Sequence, residues 1–202
     1  MATAAAPLPE HGDGLSARDF VPPSHHGLRL VRIFLPLLDR ESTPVRWSKF
    51  VDFDLTPASL SWWELLEQAG QEFPEVHTLA SCGGELDAAT AEALQDAVGD
   101  TQLHSLRWDG YWENPASASP VYVHGHEYSL ARLRRTELTP GKRVPEFVWD
   151  DAATFAWGSR LYPDSLIVAC DSDRFTQLHA DPRLDAITVR PEKDNVPASF
   201  GD

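Results

Sequence analysis

The stretch Leu103–Leu130, LHSLRWDGYWENPASASPVYVHGHEYSL, decides how this chain is read. Leu103 to Trp108 has the length and composition of a strand, and Asp109-Gly110 is a turn signal. Asn114 to Pro120 is a loop of small residues and prolines. Val121 to Leu130 then reads as a second strand. Its alternation places Tyr122, His124, His126, Tyr128 and Leu130 on one face, and Val121, Val123, Gly125 and Glu127 on the other. Gly125 between two histidines suggests a bulge or a close backbone approach. Two strands joined through an aromatic turn make a sheet the organising element.

Upstream, Leu28 to Leu35 (LRLVRIFL) is a strand with apolar residues on both faces, so it belongs well inside a sheet. Arg32 on such a strand needs a carboxylate partner or a route to water. Arg46 to Leu55 is expected to be another strand, anchored by Trp47 and Phe53. Thr56-Pro57 predicts a helix start, followed by the apolar stripe Trp62, Leu65, Leu66, Ala69 and Phe73. Asp87 caps a second helix with Ala91, Leu94 and Val98 inward and Gly99 at its end. Downstream, Trp149 to Trp157 reads as a short helical turn capped by Asp150 or Asp151. Leu166 to Cys170 (LIVAC) is a buried strand, Asp173 caps a short helix carrying Phe175 and Leu178, and Asp185 to Arg190 is a last strand.

These elements predict an α+β fold, a mostly antiparallel sheet of about five or six strands packed by two main helices. Residues 1–27 form a flexible tail in this reading, 28–190 a single domain, and 191–202 a frayed end.

The formal charge is −14 over 202 residues. That balance argues against nucleic acid and against an anionic membrane, both of which call for a basic face. It favours a basic partner, if the partner is a protein. Arg132, Arg134 and Arg135 form the one basic cluster, expected to pair with the chain's own carboxylates. Cys82 and Cys170 match no disulfide framework or metal knuckle; Cys170 reads as core, and Cys82 as an exposed thiol. The opening MATAAAPLPEHGDG has no basic start and no long apolar segment, which predicts a soluble cytoplasmic protein.

No GxSxG elbow, phosphate-binding glycine loop, GxGxxG or HExxH is present in the sequence. Trp108, Asp109, Tyr111, Trp112 and Glu113 form an aromatic turn bordered by carboxylates, the composition of a protein-interface anchor. The leading expectation is therefore a non-enzymatic protein-binding module with no cofactor. The alternative is a metal-dependent hydrolase. In it His124 and His126 share a strand face and converge with Asp171 and Asp173 on zinc or iron.

The segments RWDGYW, VHGHEYSL, FVWDD, LIVACDSD, DPRLDAITVRP and PVRWSKF together resemble a family of uncharacterised, mostly actinobacterial proteins with a W-(D/E)-G-(Y/W) turn. The likeness spans Pro44 to Pro191, and it implies no activity and no functional residues. The pattern is also distantly similar to acidic immunity or antitoxin proteins, which neutralise basic toxins; that likeness implies a basic protein partner.

Overall fold

The computed structural model describes residues 16–110, 119–123, 126–161 and 163–197. In chain order the strands are β1 (Arg29–Phe34), β2 (Leu37–Leu38), β3 (Pro44–Val45), β4 (Ala80–Ser81), β5 (Leu103–Trp108) and β6 (Ser119–Val123). There follow β7 (His126–Leu133), β8 (Phe147–Asp150), β9 (Phe155–Gly158), β10 (Ser165–Cys170) and β11 (Asp185–Val189). The helices are α1 (Trp62–Ala69), α2 (Ala88–Val98) and α3 (Ser172–Ala180). The fold is α+β. Eight strands form one antiparallel sheet in the order β11-β1-β10-β9-β8-β5-β7-β6, and β3-β2-β4 form a small second sheet.

The sheet has more strands than the sequence reading expected because two segments fold back on themselves. The segment read as one strand from Val121 to Leu130 supplies two, β6 and β7, paired antiparallel with Val123 opposite His126. Trp149 to Trp157 is not a helical turn either: it is the β8–β9 hairpin. There Asp150 accepts from the Thr154 and Phe155 amides, so its carboxylate closes a strand turn. Arg46 to Leu55 is not a strand; Trp47–Lys49 is a single 3-10 turn. Its rings serve packing all the same, since Trp47 is fully buried and its indole donates to the Leu35 carbonyl.

The helix expected from Thr56-Pro57 begins later, where Ser61 and Glu64 cap one another's backbone amides. α2 is capped by Asp87 and ends at Gly99, whose φ of 57° suits a residue without a side chain. α3 is a third helix, capped by Asp171 and not by Asp173.

Helices α2 and α3 cover one face of the sheet. Val31, Ile33, Val148, Phe155, Trp157, Leu166, Val168 and Cys170 meet Leu94, Val98, Phe175 and Leu178 there. Every residue of β10 is buried, as the continuous apolar run LIVAC requires. α1 builds a separate cluster with Phe34, Leu37 and Trp47.

Segment 16–26, read from sequence as part of a tail, lies across the opposite face. Ala17, Phe20, Val21 and His25 are buried, and Phe20 packs with Leu30, Ile167 and Ala169. A Cβ on Gly158 would run into the Phe20 carbonyl, so the backbone crosses β9 where there is no side chain. Ser16 bridges to Asn195, and Asp194 and Val196 are buried, so the far end of the chain joins the same layer.

Arg32 meets its expected requirement from within. It is fully buried, donates to the Ala58 and Leu60 carbonyls at 2.8 and 2.7 Å and to Ser165 Oγ at 2.9 Å, and stands 3.7 Å from Asp164. Cys82 is buried rather than exposed, and burial pushes its thiol up to about 11. Among the described residues no helix is long and apolar enough to cross a membrane.

Candidate functional site

Among the described residues β6 is one of the two outer strands of the large sheet, paired on one side only, with β7. The Asp109 amide donates to the Glu127 carbonyl, so Glu127 turns its backbone toward β5. Its partner Tyr122 therefore points its own backbone N–H and C=O away from β7, toward the open edge. Pro120 occupies the same outward phase, where its missing N–H removes no ladder bond.

The side chains complete this edge. Val121 and Val123 are buried, while Tyr122 is 71% exposed on the opposite face. The Tyr122 hydroxyl donates to Glu127 Oε2 at 3.1 Å, and that bond to a carboxylate raises the phenol above its ordinary range. Asp109, also exposed, accepts from Ser129 Oγ at 2.7 Å. Trp108 is half-buried, its amide held by Glu146 Oε2 at 3.0 Å, with its ring edge-on to His126 at 6.4 Å. Of the expected surface residues, Asp109 therefore shares a face with Tyr122 and Glu127, whereas the Trp108 ring lies on the opposite face, against the cluster that holds Val121, Val123 and Tyr128. Tyr111, Trp112 and Glu113 lie outside the described residues.

The described members of the expected metal constellation do not come together. His124 lies outside the described residues, and His126 is exposed at the Trp108 end of the sheet. Asp171 follows β10 at the other end, near Phe155 and Asp150. From β7 to β10 there are four strand steps, roughly 19 Å at about 4.8 Å per step. Asp171 is the α3 cap, paired with Arg174 at 3.3 Å, and Asp173 is exposed on the first turn. Among the described residues no three metal-ligating side chains gather.

Sequence reasoning missed a buried polar group at that far end. His25, which falls in the segment read from sequence as a flexible tail, is 1% exposed, and its Nε2 lies 3.0 Å from Asp150 Oδ1. A carboxylate only accepts, so Nε2 carries the proton, and Nδ1 meets Ser24 Oγ at 3.0 Å. Burial alone would raise Asp150, but hydrogen bonds from Thr154, His25 and the Phe155 amide outweigh it and hold the carboxyl below its ordinary range. The serine, histidine and aspartate are thus in contact, yet the imidazole is sealed beneath the chain, so the set fastens segment 16–26. His104 stacks on Trp149 and meets Asp151 at 2.8 Å. Two of the three arginines in the cluster pair with the chain's own carboxylates, Arg132 with Asp151 and Arg135 with Asp100.

Compared with protein-family models, curated proteins and solved structures, the chain finds no match in any of the three.

Proposed function

We propose that this protein is a non-enzymatic binding module that engages a basic protein partner through the β6 edge and the Trp108-Asp109 turn. The observation that carries the reading is Tyr122. A large aromatic side chain 71% exposed on an open strand, hydrogen-bonded to Glu127, is an anchor with charge around it. The chain's charge of −14 adds long-range attraction for a cationic surface. Internal pairing of Arg132 and Arg135 leaves the acidic surface dominant. The resemblance to acidic immunity proteins points in the same direction.

The test is capture of partners at low salt by wild type and by Tyr122→Ala/Glu127→Lys, after circular dichroism shows equal folding. The reading expects one basic protein that wild type retains, the variant loses, and added salt releases. Equal retention by the variant refutes the assignment of this edge.

A further inference from the structure

A second surface matches a cation more closely than the edge does. The loop 48–54 faces Glu72 and Phe73 across an open groove of about 630 Å³. Phe50, Phe53 and Phe73 supply aromatic walls, with Phe50 and Phe73 edge-to-face at 5.7 Å and Phe53 packed on Phe34 at 5.2 Å. Phe53 and Phe73 are only half-buried, so ring surface remains open to a ligand. Asp52, Asp54 and Glu72 stand exposed on the rim.

We propose that this groove receives a lysine or arginine side chain from an exposed basic segment of another protein. Aromatic faces attract a cation through the ring quadrupole, and carboxylates around them hold its charge. The chain itself displays that chemistry at the groove. The Lys49 ammonium lies 5.2 Å over the Phe50 ring and 3.4 Å from Glu75, one aromatic face and one carboxylate sharing a cation. The same preference recurs where Arg29 covers Phe175 at 3.6 Å. An anionic or purely apolar ligand would have to displace water from three carboxylates without pairing them. The groove stands independently of the β6 edge: it is built from other elements and can be tested with a small probe.

The probe is the monocationic peptide Ac-Gly-Arg-Gly-NH2, titrated into the full chain while the phenylalanine ring resonances are followed. The Phe53 and Phe73 rings should move saturably, and the glutamine analogue Ac-Gly-Gln-Gly-NH2 should leave them in place. Asp54→Asn/Glu72→Gln should weaken binding about three- to tenfold, and Phe53→Leu, which keeps the groove apolar, should weaken it by a similar factor. Glu41→Gln/Asp173→Asn removes the same charge from exposed positions elsewhere and should change affinity by less than about twofold. Rings that do not move, equal binding of the glutamine peptide, or equal weakening by the control pair would each overturn the assignment. Loss of binding at the β6 edge alone would leave these shifts unaltered.

Discussion

Replacing Arg32 by methionine should be among the most damaging single changes available to this protein. The guanidinium is fully buried on β1 and makes three hydrogen bonds of 2.7–2.9 Å besides facing Asp164. Burial draws it down to about 10, which still leaves it charged at neutral pH. Methionine matches much of the apolar stem but strands two carbonyls and a 5% exposed carboxylate. Removing one member of a buried pair costs about 3–5 kcal/mol. At about 2–4 °C per kcal/mol for a chain of this size, the thermal midpoint should fall by roughly 6–20 °C.

The assay is urea unfolding by tryptophan fluorescence of wild type, Arg32→Met, Asp164→Leu and the double variant. The double variant should recover part of the loss, because it removes the orphaned charge. The pH dependence carries a second signature. Burial raises Asp164, and Arg32 is the main influence pulling it back down. With a raised folded value, the folded state binds the proton more tightly than the unfolded chain. Stability from this group therefore falls as pH rises through the window between the ordinary and the raised value. Arg32→Met widens that window, so the variant should regain stability on mild acidification more than wild type does. A coupling below about 0.5 kcal/mol, with parallel pH curves, would refute the pairing argument.

Gly158→Ala should lift segment 16–26 from the sheet, because the new methyl group meets the Phe20 carbonyl. We expect a loss of about 1–3 kcal/mol from overpacking, with faster proteolysis confined to residues before Arg29; an unchanged digestion pattern would contradict it. Asp150→Asn should flatten the acid limb of the stability curve. The folded Asp150 lies below its ordinary range, so its contribution is present above the unfolded value and is lost as pH falls toward the folded one. Denaturant midpoints measured across that range decide the point, and identical slopes in variant and wild type would exclude the His25–Asp150 pair as their source.

What the sequence made legible depended on whether a pattern stayed within one element. LIVAC and RLVRIF each lie within a single strand and keep their phase from end to end. The Asp87 cap and Gly99 terminus bracket α2 because cap chemistry is local. Val121 to Leu130 misleads because its alternation runs across two separate strands, β6 and β7. Tyr122 and Tyr128 share parity in sequence, yet Tyr128 pairs with Val121 and Tyr122 with Glu127, so the two rings lie on opposite faces. The linear pattern therefore groups the exposed tyrosine in one row with His124 and His126. Trp149–Trp157 fails for a related reason, since an aspartate before a turn caps a hairpin as readily as a helix. Segment 16–26 has no period to read: it packs through Phe20 and His25 in two 3-10 turns and Val21 between them, and its contact with Gly158 joins residues far apart in sequence.

The two proposed surfaces also constrain the partner. The groove belongs to the cluster around Phe34 on β1, whereas Tyr122 lies on β6. Six strand steps separate β1 from β6, or about 29 Å at about 4.8 Å per step, before the sheet's twist shortens the path. One extended basic segment would need on the order of nine residues to reach from one to the other at about 3.3 Å per residue. A shorter segment can occupy only one surface at a time, so the two would compete for it. A long segment, or a folded protein with cations on separated loops, gains from both, because the second contact forms at the effective concentration set by the first. Weak individual cation–aromatic contacts then suffice for firm binding. The same geometry makes spacing between cations, more than their number, the property by which such a partner would be selected.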